Sequence, residues 1–290
     1  MPIRLIAVDF DGTLLNSRWE ISEANRQALV AATECGARVV AVTGRRFYSA
    51  LPFAQLIPCP LTLITSNGGL IATPSGEVLH RNFLPREAAL RVLEVAREFR
   101  PYSVAIFHMP GYGQISMQDN AVLDGPLGWY LKTSSHCLRL VPDLEAVIDT
   151  DPIQVMIGGP PAWIEPAERL LQGSPIYGSI HLTWTKYFAR NVSILDIMNR
   201  GCSKGQALKL WAERCGISPQ EVMAIGDNFN DLEMLQFAGQ PVLMGNACPE
   251  IDRPDWPRTL SNDEDGVAEA IKTFVLGQKA STKEMSGDLG

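Results

Sequence analysis

The stretch Leu5-Ile6-Ala7-Val8-Asp9-Phe10-Asp11-Gly12-Thr13 sets both the fold and the place of any chemistry. Its first four residues read as a short apolar strand, and the two carboxylates and the glycine that follow read as an abrupt end to it in a turn. In open α/β sheets, ligands bind beyond the carboxyl ends of the strands, so Asp9 and Asp11 stand where a site belongs. Average residue usage gives Asp-x-Asp-Gly-Thr by chance in about one chain in a hundred of this length, so the motif alone is only suggestive.

Working outward, similar apolar runs at 38–42, 61–65, 222–225 and 241–244 alternate with helical periodicity, the pattern of parallel strands joined by crossover helices. Between the first two runs, Ser22 is placed to cap a helix and Gly36 to end it. The middle reads differently. Runs at 102–108, 113–117, 153–157 and 180–185, with turns at Pro110-Gly111 and Gly158-Gly159-Pro160-Pro161, predict an α+β layer inserted into an α/β core. The expected bounds are 1–84 and 193–277 for the core, 85–192 for the insert, and 278–290 for a polar, flexible tail.

Apolar residues make up 46% of the 290 and charged residues 20%, which fits an ordinary globular protein and excludes a disordered or fibrous one. A net charge of −7 without a basic run argues against nucleic acid as a partner, since a phosphate backbone is held by clustered Lys and Arg. The six cysteines are dispersed, with no Cys-x-x-Cys and no close Cys/His pairing, so neither a zinc site nor a disulfide framework is indicated. No window reaches the roughly 18 apolar residues of a membrane span, and no basic region with a long apolar stretch opens the chain. The expectation is a cytoplasmic protein, monomeric or homodimeric, with no membrane partner.

Three further signals fall at strand ends or helix starts: Thr43-Gly44-Arg45, Ser203-Lys204-Gly205 and Gly226-Asp227-Asn228-Phe229-Asn230-Asp231. Singly, each is an ordinary cap, turn or surface charge. Together they belong to the same edge of one sheet, and their residue types suit one reaction. A phosphate monoester is dianionic, so a carboxylate nucleophile needs its charge screened by a hard cation. Asp9 and Asp227, with the backbone carbonyl of Asp11, could supply the oxygens for Mg²⁺. Lys204 adds a fixed positive charge oriented by Asp231, while Thr43, Asn230 and turn amides around Asp11 can hydrogen-bond the transferring oxygens, with Gly12 and Gly44 in the supporting turns. Attack by Asp9 and then by water requires one acid and one base, and Asp11 can serve as both.

These motifs resemble the four signatures of the haloacid-dehalogenase-like phosphatases. Thr65-Ser66-Asn67-Gly68-Gly69, the helix opened by Lys204-Gly205, Met244-Gly245-Asn246-Ala247 and Asn262-Asp263-Glu264-Asp265-Gly266-Val267 resemble the Cof-type subfamily. The resemblance runs from Ile3 to about Leu276, strong in the core and faint across the insert. It implies a Rossmann-like core, an α+β cap between the second and third motifs, Mg²⁺ dependence and Asp9 as nucleophile. It assigns Asp11 as acid/base, Thr43, Lys204 and Asn230 as phosphate ligands and Asp227 as metal ligand, and it places Arg45 and Asn67 near the substrate.

The expected substrate is a small phosphate ester, with sugar phosphates favoured by family analogy. In the insert, His108, Tyr112, Trp129, Tyr130, Trp184, Lys186 and Arg190 are candidates to face the leaving group, although aromatic residues of a small domain belong to its core more often. Closure of the cap over the strand ends is expected to control access and choice of substrate. A phosphomutase, a single-domain signalling receiver and a non-catalytic phosphate-binding regulator are the alternatives. The intact Asp9 and Asp11 pair weighs against the last.

Overall fold

The computed structural model describes residues 1–119, 128–187 and 190–277, with the side chain of Trp129 left out. The expected tail therefore lies outside the described residues. The chain divides into two compact units, Met1–His80 with the chain from Lys204 onward, and Arg81–Ser203.

The first unit opens with β1 (Leu5–Val8), α1 (Glu23–Glu34), β2 (Arg38–Val42), α2 (Phe47–Ala54), β3 (Leu61–Thr65), β4 (Leu70–Ala72) and β5 (Val78–Arg81). All four residues of β1 are buried, as a central parallel strand covered on both faces requires. The Ser22 side chain caps α1 by accepting the Asn25 backbone N–H. Gly36, at a φ of 89°, turns the chain out of that helix.

The second unit follows with α3 (Arg86–Val95), β6 (Ser103–Ile106), β7 (Ile115–Gln118), α4 (Gly128–Thr133), β8 (Leu138–Val141), β9 (Gln154–Gly159), α5 (Pro161–Gln172), β10 (Ile180–Tyr187) and β11 (Val192–Asn199). Its sheet has the order β10-β11-β9-β6-β7-β8 and is antiparallel in each of these pairings except β7 with β8. Alternate residues serve opposite faces. Ala105, Val155, Ile157, Leu195 and Ile197 pack with Val92 and Leu93 of α3 and with Ile164 and Leu171 of α5. Val104, Ile106, Met117, Met156 and Ile194 form a second cluster with Leu131 of α4.

Val192–Asn199, which the expected boundary at 193 divides, is one buried strand between β9 and β10, within the second compact unit, Arg81–Ser203. Gly158 and Gly159 were expected in a turn, yet they pair with Ile194 and Ser193 as the end of β9, and the chain leaves the sheet only at Pro160. A Cβ on Gly159 would sit 3.2 Å from the Trp163 ring, so this glycine serves close packing of α5 on the strand.

The chain returns to the first unit with α6 (Lys204–Arg214), β12 (Val222–Gly226), α7 (Leu232–Phe237), β13 (Gln240–Leu243) and α8 (Gly266–Ile271). The resulting sheet has the order β13-β12-β1-β2-β3-β4-β5, parallel from β13 to β3 and antiparallel between β3 and β4. The molecule is thus α/β with a parallel sheet core. Successive strands move away from β1 in one direction through β2 and β3, and in the other through β12 and β13. That reversal leaves a crevice at the carboxyl ends of β1 and β12, which end next to Asp9 and Asp227. No helix among the described residues is long and apolar enough to cross a membrane.

Candidate active site

The turn after β1 is held from both sides. Asp9 donates its backbone N–H to the Ile225 carbonyl at 3.1 Å, and Leu14 and Leu15 donate theirs to the carbonyls of Asp9 and Phe10. Gly12 has a φ of +78°, and a Cβ there would fall 2.4 Å from Oδ2 of Asp227, so glycine is required by both backbone and space. Thr13 Oγ1 donates to Asp227 Oδ1 at 2.8 Å, and Asn246 Nδ2 donates to the Gly12 carbonyl at 2.8 Å.

Lys204 opens α6 and its side chain is fully buried. A Cβ on the adjacent Gly205 would lie 2.6 Å from the Glu233 backbone, so the missing side chain lets α6 press against α7. Lys204 Nζ donates to Asp9 Oδ1 at 2.8 Å and to Asp231 Oδ1 at 2.6 Å. The other oxygen of Asp231 accepts the backbone N–H groups of Asp227 and Asn228, each at 3.0 Å. Asp231 therefore fixes the lysine and the loop that carries Asp227 at once.

Asp9, Asp227 and Asp231 offer oxygens within 4.8 Å of one another. Against three carboxylates stands one ammonium, and the titration of the group follows from that imbalance. Burial, then the charge of Asp231, pushes Asp9 up to about 8, with Lys204 pulling the other way and Asp11 adding to the rise. Asp227 is raised well above the usual carboxylate range by burial, then by Asp231 and Asp9, against the Thr13 hydrogen bond. For Lys204, burial disfavours the charge, but Asp231 and Asp9 outweigh it and hold the ammonium above its ordinary range. A divalent cation would reverse the logic for the carboxylates. Both oxygens of Asp231 are committed, which leaves Asp9 and Asp227 as the hard donors, and such oxygens suit Mg²⁺.

Beyond β2 and β3 lies the second half of the cluster. Thr43 is fully buried, and its Oγ1 accepts the Arg45 backbone N–H at 3.1 Å. Asn67 sits in the left-handed region at a φ of 50°, and its N–H donates to the Thr43 carbonyl. Its Oδ1 accepts from Asn230 Nδ2 at 2.9 Å. A Cβ on Gly44 would lie 3.1 Å from Asn67 Oδ1, so this glycine gives the two amides room. Arg45 grips Asp11 with a two-pronged bond, Nε to Oδ2 at 2.7 Å and a terminal nitrogen to Oδ1 at 2.6 Å.

Asp9, Asp11, Gly12, Thr43, Gly44, Arg45, Asn67, Lys204, Asp227, Asn230 and Asp231 all belong to the first unit and share this edge of its sheet. Lys186 and Arg190 belong to the second unit. Lys186 pairs with Ser193 across the sheet, and its Nζ lies 5.8 Å from the ring centroid of Trp184. Trp184 and Tyr130 pack against the two apolar clusters, whereas Tyr112 is exposed and lines, with His108, Arg81 and Arg139, a cleft of about 990 Å³. Four contributors had no role assigned from the sequence: Thr13, Asn246, Trp19 and Phe53. Thr13 and Asn246 lie inside quoted motifs, but Trp19 and Phe53, whose ring centroids lie 4.6 and 4.5 Å from the Arg45 guanidinium carbon, carry no local signal and become visible only through Arg45.

The sequence pattern of haloacid dehalogenase-like hydrolases matches residues 6–271. Among curated proteins the chain is 28% identical to phosphatase YwpJ of Bacillus subtilis, over 94% of this chain and all of that one. It is likewise 28% identical to the pyridoxal phosphate phosphatase YbhA of Escherichia coli, over 95% of this chain and all of that one. A crystal structure of a haloacid dehalogenase-like hydrolase from Bacteroides thetaiotaomicron is 31% identical and superposes with a TM-score of 0.76, covering 93% of this chain and 98% of its own.

Proposed function

Since the chain belongs to the haloacid dehalogenase-like hydrolases and is a phosphatase of that family, we propose that it hydrolyses small phosphate monoesters, sugar phosphates among them, through an aspartyl-phosphate on Asp9. The observation that carries this is the buried pairing of Asp9 with Lys204 beside a second carboxylate, Asp11, held in a separate grip by Arg45. Two carboxylates two residues apart are thereby given different partners, and different partners mean different roles.

A carboxylate oxygen of Asp9 attacks phosphorus while the bond to the leaving oxygen breaks, and the proton of Asp11 passes to that oxygen. Water then attacks phosphorus, giving its proton to Asp11, and the bond to Asp9 breaks to release inorganic phosphate. Lys204, the Thr43 hydroxyl and Asn230 bind the transferring oxygens, and Asn67 orients the Asn230 amide. Asp9 and Asp227, with the Asp11 carbonyl, would hold Mg²⁺, which would supply the positive charge that lets an anionic nucleophile approach a phosphate dianion. These groups recognise only the phosphate, which every substrate shares, so discrimination among leaving groups is assigned to side chains outside this set, Lys186 and Arg190 among them. The relative named for pyridoxal phosphate supports the substrate class, since that compound is a small monoester.

The test is acid quenching of the Mg²⁺-supplemented protein during turnover of a labelled aryl phosphate, followed by mapping of the label. Label on Asp9, and its absence with loss of turnover in Asp9→Asn, is the expected result. Full turnover in Asp9→Asn, or label elsewhere, overturns the mechanism.

A further inference from the structure

The cleft of about 990 Å³ is built wholly from the second unit, where the chain enters and leaves it: Arg81 and Asn82 line it from the first crossing and Asn199 from the second. Asn199 Nδ2 donates to Asn82 Oδ1 at 2.7 Å, which ties the two crossings together. The turn between β6 and β7 adds His108 and Tyr112, and the turn before β9 adds Asp149 and Asp151.

Other arginines of the chain close on carboxylates near them, Arg4 on Glu221 and Arg100 on Glu145 among them. Arg81 and Arg139 are exposed and share this cleft with Asp149 and Asp151, yet neither forms an ion pair among the described residues. Arg139 runs along Gly113, where a Cβ would stand 4.0 Å from its Cδ, and the Arg81 guanidinium carbon lies 5.9 Å from the Phe83 ring centroid. Asp151 accepts the Arg86 backbone N–H at 2.7 Å, whereas Asp149 has no such donor among the described residues. Opposite charges thus line one space without neutralising each other.

The walls offer more than charge. The Phe83 and His108 rings stand 6.1 Å apart, and Tyr112 exposes its ring. Burial, then the Arg81 charge, holds His108 below its ordinary range, so at pH 7 it presents a neutral ring. Ser116 also lines the cleft and is buried, and its Oγ makes a long contact of 3.5 Å to the Gly113 carbonyl, which leaves the hydroxyl with hydrogen-bonding capacity to spare.

We propose that this cleft is a ligand site separate from the catalytic carboxylates, and that it takes a nucleoside monophosphate. The guanidinium groups of Arg81 and Arg139 meet the phosphate, for which their forked donors are suited. Phe83, His108 and Tyr112 meet the base, whose face every nucleotide offers. Asp149 accepts from ribose hydroxyls or base amines, donors that inorganic phosphate lacks. The volume lies within the range of about 300–1,000 Å³ usual for small-molecule sites. The proposal stands whether or not Asp9 is the nucleophile.

The test is calorimetric titration of adenosine, guanosine, cytidine and uridine monophosphates, and of inorganic phosphate, into the full-length Asp9→Asn protein in excess chelator. The same titrations are run with Arg139→Ala, Tyr112→Ala or Asn230→Ala added, and recovery of intact nucleotide is checked. At least one nucleotide is expected to bind, about tenfold or more tighter than inorganic phosphate. Arg139→Ala should weaken it about tenfold or more and Tyr112→Ala about fivefold or more, while Asn230→Ala, in the first unit, changes it less than about twofold. An unchanged melting temperature in Arg139→Ala shows that the loss is one of contact, and Tyr112→Ala, which removes an exposed ring, decides the matter if Arg139→Ala does not fold. No binding of any nucleotide at millimolar concentration overturns the site, as does binding that survives both cleft variants or is lost in Asn230→Ala. Inorganic phosphate bound as tightly as the nucleotides overturns the assigned class of ligand.

Discussion

Replacing Asp9 by Asn in the metal-free protein separates the electrostatic cost of the site from its chemistry. In the folded protein Asp9 is pushed up to about 8, chiefly by burial and by Asp231, whereas in the unfolded chain it has an ordinary carboxylate value. From about pH 4 to about pH 8 the native state therefore keeps a proton that the unfolded state has released. Stability is fully present below that window and is lost as pH rises through it, at up to about 1.4 kcal/mol per pH unit for one group. Asp227 is raised as well and titrates with Asp9 as a pair, so removing one member removes only part of the slope. Asn keeps the shape and cannot ionise. Relative to wild type, Asp9→Asn is expected to gain about 1–2 kcal/mol between about pH 5 and about pH 7. Denaturant unfolding in excess chelator at several pH values, run on both proteins, reads the difference directly. A stability difference that stays flat across that window would refute the account of Asp9 as a buried carboxylate short of positive charge.

The same imbalance predicts that Mg²⁺ raises the melting temperature of wild type, by the equivalent of about 2.7 kcal/mol at a hundredfold excess over its dissociation constant. The gain should grow with pH and shrink in Asp227→Ala, as differential scanning fluorimetry with and without chelator would show. Thr13→Val removes the donor to Asp227 Oδ1 and is expected to cost about 1–3 kcal/mol, with activity that saturates only at higher Mg²⁺. Wild-type metal dependence in that variant counts against Thr13 as an anchor. Gly205→Ala places a Cβ 2.6 Å from the Glu233 backbone, so α6 must shift. The expected loss is about 1–3 kcal/mol together with reduced turnover, and an unchanged melting temperature would show that the close approach of the two helices is dispensable.

The carboxylates of the site were legible because each ends a strand or follows one, and strand ends are written in local sequence. The apolar run before Asp9 and the one before Asp227 each predict a strand without knowledge of the other, and β1 and β12 then pair in register, Leu5 with Val222 to Val8 with Ile225. The insert was harder to read for a related reason. Val192–Asn199 is fully buried except at its end, so it lacks the apolar and polar alternation of a half-exposed strand, and the glycines that end β9 look like a turn unless the packing of Trp163 on Gly159 is known. The grip on Arg45 was invisible for another cause. Trp19, Arg45 and Phe53 sit on three separate segments, and their spacing in the chain obeys no helical or strand period.

What local patterns cannot express is the sharing of charge between distant segments. Lys204 is separated by 195 residues from Asp9 and by 27 from Asp231, yet the same buried ammonium donates to both. Removing it leaves two buried carboxylates without their cation, a change that typically costs about 3–5 kcal/mol for a buried pair broken on one side. The protein tolerates this arrangement because Asp231 also accepts two backbone N–H groups, so its charge is met by fixed dipoles as well as by the lysine. Among the described residues Asp9 has no such second support, and Lys204 is the side-chain donor to its carboxylate. Of the two carboxylates that Lys204 serves, the less compensated is thus the one assigned to form a bond to phosphorus. A carboxylate satisfied at both oxygens, one by backbone donors and the other by the lysine, as Asp231 is, would be too well stabilised to attack.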